Sequence, residues 1–511
     1  MELDLKKVCL DAYETGGELT ITQDETAETI VPDYSPDIAR VIETDGHVYI
    51  HSREIKDGKA EVSGTVRITV LYTPEQETGV RSLEFSIPFT VEGDQRMSGC
   101  VFLMAETEAE TLETRMLNPR KVFTHCKLVT RLAGYRKQQV CFCSDVEADG
   151  TLQIEKRREV QKAVFLTRIA EKDFTFSEMM KLSMGREGMA ELLSKQARSV
   201  VTEIKCLGSK VIFKGIFHIS VLYKTVEGKC AVVTGELPFS QIMEVEGTAE
   251  GAAASLLLQF TGMEFRLDGG DSEGRQIEVT LYLHATAFLR ETHELTLLND
   301  LYSTAYELKY EPEQLELHSF YETLSCRQMA REVLEVGAAA DTILNVAVTC
   351  GAVFVGRERG NAVLRTRASI RVLYLDEGGV PLMAERSADV SCQMELPENC
   401  RITARAVCPE DVQGSVGERG IEVRFPVDFH VETTDQMKRG CIASAELNPM
   451  EAKEWSNVPS LVLRRFGKQE SIWDLAKSHR TTIAAILAAN QAEKECDLPQ
   501  GALILIPRKR A

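Results

Sequence analysis

Long apolar runs are scarce in this chain of 511 residues. The best of them, residues 252–260, is about half of the roughly 18 residues a helix needs to cross a bilayer, and Ser255 and Gln259 interrupt it. Positive charge is also in short supply. Fifty-nine lysines and arginines against 78 carboxylates leave −19, which argues against a protein that coats phosphate backbones over most of its surface. The opening Met-Glu-Leu-Asp-Leu-Lys-Lys has no basic region followed by an apolar stretch, and the 14 cysteines lack the spacing of a disulfide scaffold. The expectation is a soluble protein in a reducing cytoplasm.

Catalytic patterns are missing as well. No Gly-Lys pair is followed by Ser or Thr, so there is no P-loop. Gly270-Asp-Ser-Glu-Gly274 has the letters of a serine-hydrolase elbow, but a strand-like run rather than a helix follows Ser272, so a hairpin loop is expected. His293-Glu294 begins a zinc-protease motif, but Leu297 stands where the second imidazole is needed. Gly414, Gly417 and Gly420 precede a strand, not a helix whose N-terminus could hold phosphate. Cys141 and Cys143 have no second pair at zinc spacing; with Cys392, Cys400 and Cys408 they read as buried structural residues. No catalytic residue, metal or cofactor is expected.

What the chain does have is repetition. Gly64-Thr-Val-Arg-Ile-Thr-Val-Leu-Tyr72 returns as Gly215-Ile-Phe-His-Ile-Ser-Val-Leu-Tyr223 and as the run ending Ser369-Ile-Arg-Val-Leu-Tyr374, with the three tyrosines 151 residues apart. Each copy alternates apolar and polar positions as a half-buried strand does, and a period this long is a whole domain. Landmarks repeat in order, including Ile87-Pro88-Phe89 and Leu237-Pro238-Phe239, where proline marks an edge strand or bulge. Asp57-Gly58 between alternating runs predicts a hairpin. The cap-like Ser35-Pro36 predicts a short helix over residues 37–43, with counterparts at 188–194 and 328–336. The fold class expected is mainly β: three tandem sandwich-like domains with short helices at 1–157, 158–308 and 309–455.

The pattern changes near Pro459. A strand at 461–466, a helix opened by Ser471-Ile-Trp-Asp474, a second helix over 482–490 and a strand at 503–506 predict a βααβ unit within residues 456–511, which also hold a linker and a basic tail. From residue 460 onward nine lysines and arginines face five carboxylates, a surplus of four that leaves −23 on the preceding 459 residues. A basic head on an acidic body can dock an acidic protein surface, an anionic membrane or a wall polymer. Trp473 reads first as core of the unit and second as an interface anchor.

Ser471, Ile472, Trp473, Asn490, Gly501, Ile504, Ile506 and Pro507 make this unit resemble a LysM domain, a peptidoglycan-binding fold. Gln469 and Glu470 stand where Gly and Asp are usual in the sugar-binding loop, which favours a protein ligand. Ile30-Val-Pro-Asp-Tyr-Ser-Pro-Asp-Ile38, the Val-Leu-Tyr strand ends and Leu117-Asn-Pro-Arg-Lys121 make the repeats resemble the SPOCS domain of spore-coat proteins. SPOCS repeats followed by LysM are the arrangement of SipL-like sporulation proteins. The resemblance implies a non-enzymatic scaffold in the mother-cell cytoplasm, at the forespore surface. Through LysM it would bind the coat-morphogenetic ATPase, stage IV sporulation protein A, and help localise the coat. The candidate contacts are Lys468, Gln469, Glu470, Ser471, Trp473, Lys477, Arg480, Asn490, Asp497 and Leu498. The alternative implied by LysM is a wall or cortex protein that binds N-acetylglucosamine.

Overall fold

The structure, a computed structural model, describes residues 2–77, 79–249, 251–268, 274–337, 339–409, 412–448, 459–467 and 470–508. It is mainly β. The first set of strands is β1 (Asp4–Ile30), β2 (Ile38–Lys56), β3 (Lys59–Pro74), β4 (Arg81–Glu92), β5 (Phe102–Asn118) and β6 (Lys121–Glu147). They form a meander β2-β3-β4 and a second layer β5-β6-β1. The second set is β7 (Ile154–Lys181), β8 (Met189–Leu207), β9 (Lys210–Thr225), β10 (Cys230–Glu244), β11 (Ala253–Leu267) and β12 (Gln276–Ser303), ordered β8-β9-β10 and β11-β12-β7.

The third set keeps this order with its strands broken. β13 (Glu307–Leu317) pairs with β22 (Met437–Asn448), and β14 (Tyr321–Leu334) lies beside β21 (Gly420–Asp435), followed by β19 (Cys400–Val407). The meander is β15 (Ala340–Cys350), β17 (Asn361–Asp376) and β18 (Pro381–Met394); β16 (Phe354–Glu358) also pairs with β17, and β20 (Gln413–Gly417) with β21. Alternation builds each core. In β3 the side chains of Val62, Val66, Ile68, Val70 and Tyr72 are buried and pack with Leu128 of β6; Phe217, Ile219 and Tyr223 do the same in the second set, and Ile370, Val372 and Tyr374 in the third.

No helix forms at 37–43, 188–194 or 328–336; β2, β8 and β14 account for these segments. In the first, the cap-like Ser35-Pro36 lies in the loop before β2 and opens no helix; the strands that follow carry bulges, with Ala39 and Ile42 skipped in the β2–β3 register and Ala190 and Leu193 in β8–β9. In the third, good helix formers are overridden by continuous pairing of residues 321–334 with 421–434. The Asp57-Gly58 hairpin forms as its sequence demands, with both residues at positive φ, and Pro88 lies in the edge strand β4.

The same bulges organise the contacts between the three sets. The residues skipped opposite the Leu-Tyr strand ends are Ile42, Leu193 and Leu344, spaced by 151 residues, and the partner-strand leucines are Leu71, Leu222 and Leu373. A bulge turns its extra side chain to the other face of the sheet. All six residues meet in one apolar cluster with Val80, Val232 and Met383, a hub to which each set contributes its equivalent pair. A second shared cluster joins the far ends of the long strands, with Phe142, Phe165, Leu297, Leu317 and Ile442 among its members. Between these clusters lies a cavity of about 2570 Å³, lined by β2, β8 and β15 and by the edge strands β5, β11 and β19.

Polar residues sit directly beneath the hub. Asp45 accepts hydrogen bonds from Gln196 (3.1 Å) and Arg371 (3.2 Å), one from each of the other two sets, while Arg371 lies 3.8 Å from Glu43. Burial, with Asp45 adding repulsion against the opposing pull of Arg371, pushes the Glu43 carboxyl up to about 7. Folded protein therefore holds this proton more tightly than unfolded chain. The resulting stabilisation is complete below the ordinary glutamate range and is lost as pH rises through about 7. Glu43→Gln is expected to flatten that dependence and to be more stable than wild type at pH 8 by about 1–3 kcal/mol. Urea unfolding at pH 5 and pH 8 checks both.

Candidate partner-binding surface

The C-terminal residues fold as β23 (Leu461–Arg465), α1 (Ile472–His479), α2 (Ile483–Ala489) and β24 (Leu503–Pro507), with β23 and β24 antiparallel. Ser471 caps α1 by accepting from the Asp474 backbone N–H at 3.1 Å, and Thr482 caps α2 from Ala485 at 3.1 Å. Their apolar faces close on Val462, Ile504 and Ile506, giving a small core that includes Phe466, Ile472, Trp473, Leu475 and Ile486.

One face of α1 is docked on the second strand set. Trp473 donates its indole N–H to Asp300 Oδ2 at 2.7 Å, and Lys477 Nζ donates to Oδ1 of the same carboxylate at 2.5 Å. Tyr302, two residues along β12, packs edge-on against Trp473 with ring centres 5.0 Å apart, and its hydroxyl donates to the Thr481 carbonyl at 2.8 Å. Lys477 also lies over the Tyr310 ring, 5.0 Å from its centre. Burial alone would raise the Asp300 carboxyl; the hydrogen bonds from Lys477 and Trp473 outweigh it and hold the group below its usual range. This contribution is present above the ordinary aspartate pKa and is lost as pH falls through the lowered value. Asp300→Ala leaves two donors unpaired, and docking is expected to weaken by about 1–3 kcal/mol. Hydrogen exchange across residues 472–479 should then quicken by about tenfold or more, while exchange in β3 stays as in wild type.

The candidate contacts divide accordingly. Lys468 and Gln469 lie outside the described residues. Glu470 is paired with Arg464 and accepts the Gly467 N–H, Ser471 is the helix cap, and Arg480 ends α1 in the left-handed conformation. Asn490 ties α2 to β24, donating to Leu505 O and accepting from Leu505 N, both at 2.7 Å. Asp497 accepts from the backbone N–H of Glu493 and Lys494, and Leu498 is buried. Trp473 and Lys477 come together on Asp300, whose role no local sequence signal announces.

At the other end of the chain, Arg120 fixes the loop over residues 32–37. Its guanidinium donates to the carbonyls of Val31 (2.9 Å) and Ser35 (2.8 Å) and to the carboxylates of Asp33 (3.2 Å) and Asp37 (2.9 Å). The Tyr72 hydroxyl closes on Pro36 O at 3.2 Å, and Tyr34 is left almost wholly exposed. The second set uses Arg275 in the same way, donating to the carbonyls of Ser183 and Arg186.

These loops and the strands after them are where a known family is matched: the model of the SipL SPOCS domain covers residues 37–115 and 188–267. These two segments are similar to the SPOCS domain of SipL-like sporulation proteins. Each matched SPOCS segment begins where the clamped loop enters the meander and runs into or through the fifth strand, β5 or β11. The third strand set lies outside the matched segments although its meander has the same order. No curated protein matches the chain.

The discarded chemical motifs also find places. Ser272 is outside the described residues; His293 lies in β12 and pairs with Glu291 at 3.3 Å; Gly414 and Gly417 belong to the β20 edge. Two cysteine readings need correction. Cys141 is bonded to Cys9 directly across the β1–β6 ladder, and Cys392 to Cys326. Partners 132 and 66 residues apart leave no spacing signal, because the β1–β6 register brings the first pair together and the packing of β14 against β18, strands of two different sheets, brings the second. Cys143 and Cys408 are free and buried, and Cys400 is free and half-buried.

Proposed function

We propose that this protein is a non-enzymatic adaptor of spore-coat assembly, acting in the mother-cell cytoplasm at the forespore surface. The SPOCS match at residues 37–115 and 188–267 supports the sporulation role and carries the reading. The three strand sets serve as a rigid scaffold. The small C-terminal unit, LysM-like in sequence, is the head that binds the coat-morphogenetic ATPase, stage IV sporulation protein A. Three features favour a protein ligand over a glycan. Glu470 is held by Arg464 and Gly467 instead of lining an open sugar loop, Asn490 and Asp497 serve the unit's own backbone, and the head carries a positive surplus on an acidic body.

Purified full-length chain and a chain ending at residue 455 should be tested against the purified ATPase and against peptidoglycan. Retention of the ATPase by the full chain and its loss on truncation is the expected result. Retention by peptidoglycan alone overturns the adaptor reading.

A further inference from the structure

The small unit's two-stranded sheet has two apolar faces, and only one is covered. Val462, Ile504 and Ile506 point inward onto α1 and α2. The outward positions are Leu461, Leu463 and Arg465 of β23 and Leu503, Leu505 and Pro507 of β24, matched across the ladder as Leu461 with Pro507, Leu463 with Leu505 and Arg465 with Leu503. Leu461, Leu463 and Leu503 are 53%, 61% and 65% exposed. Single exposed leucines are ordinary, but a contiguous face with five apolar positions of six marks a contact surface. Its leucines keep their exposure while Trp473 and Lys477 of α1 are held on Asp300, so the described residues of the scaffold leave this face open.

We propose that the outward face of β23 and β24 is the partner-contact surface of this unit and that it takes an acidic, amphipathic segment of a protein. The proposal rests on the adaptor reading above and locates its contact away from the helix that carries Trp473. Charge selects the occupant. Arg465 is the one ion on the face and has no carboxylate partner among the described residues, and the unit as a whole has four more cations than anions. An apolar stripe flanked by carboxylates on the partner matches both features. An anionic bilayer fits less well, because the body attached to this head carries −23 and is repelled by such a surface.

The test compares full-length wild type, Leu463→Ser/Leu503→Ser and Arg465→Glu for binding to the purified coat ATPase by biolayer interferometry. All three substituted side chains are solvent-facing, so thermal melts should stay within about 2 °C of wild type. The double variant should bind at least about tenfold more weakly, and Arg465→Glu about three- to tenfold more weakly with a reduced salt dependence. Wild-type binding that survives both substitutions overturns this face and leaves the adaptor reading standing. No binding by wild type overturns both. Two controls address other occupants: flotation with phosphatidylglycerol vesicles and sedimentation of the chain alone. Vesicle binding or self-association that is abolished by Leu463→Ser/Leu503→Ser overturns the assignment to a protein partner.

Discussion

Leu222→Asp is expected to destabilise the protein by about 4–6 kcal/mol and to divide its unfolding into separate transitions. Leu222 is 4% exposed and packs in the hub with Leu71 and Leu373, its counterparts 151 residues before and after it. Truncating a buried leucine to alanine already costs about 2–5 kcal/mol, and a carboxylate at this site adds desolvation with no partner in the apolar cluster. The effect is not local to one sandwich. The hub is where equivalent residues of all three strand sets meet, so its loss should uncouple them while each retains its own core. Denaturant unfolding followed by hydrogen exchange would show protection lost first where the sets touch, around residues 42, 193 and 344. A single cooperative transition with a loss under about 1 kcal/mol would contradict the hub.

Gly64→Ala should be nearly as damaging, at about 3 kcal/mol. A Cβ at Gly64 would land on the Tyr49 carbonyl oxygen of the facing strand and on the ring of Phe89, and Gly215 meets Val200 and Phe239 in the same way. Neither obstacle is a flexible side-chain end, so the strands themselves must separate. Both glycines sit beside a register shift, Ile50/Ser52 in one case and Val201/Glu203 in the other, where the facing strand bulges toward them. The third set shows what accompanies a side chain at this place. Thr366 stands there, its hydroxyl donating to Gly351 O at 2.8 Å, and the facing strand is interrupted between β15 and β16. Gly440→Ala is the control, since a Cβ at that strand position meets nothing within 4 Å, and its stability should stay within about 0.5 kcal/mol of wild type. Urea midpoints of the two variants, measured side by side, check the difference.

Repetition and strand type were legible because period-2 alternation and the 151-residue spacing are local and periodic facts. The hub was present in the same letters but harder to read. In Val70-Leu71-Tyr72 the leucine is out of phase with the inward-facing residues, an anomaly repeated at Leu222 and Leu373. An apolar residue on the wrong face in every copy is the signal that could have revealed it. The cap-like Ser35-Pro36 worked the other way: the pair stands in the loop that Arg120 clamps, and β2 follows it instead of a helix. In the C-terminal unit the caps Ser471 and Thr482 marked both helices, since capping chemistry acts over three residues. Asp300 could not be found from sequence. It is one more strand carboxylate until the fold brings it, across 173 residues, to Trp473.

The adaptor account is tested most directly by imaging a fluorescent fusion of the full chain in sporulating cells. The account predicts a continuous shell around the forespore that becomes diffuse in the mother cell when residues 456–511 are removed. A signal at the peripheral cell wall, or a forespore shell that persists without those residues, would contradict it.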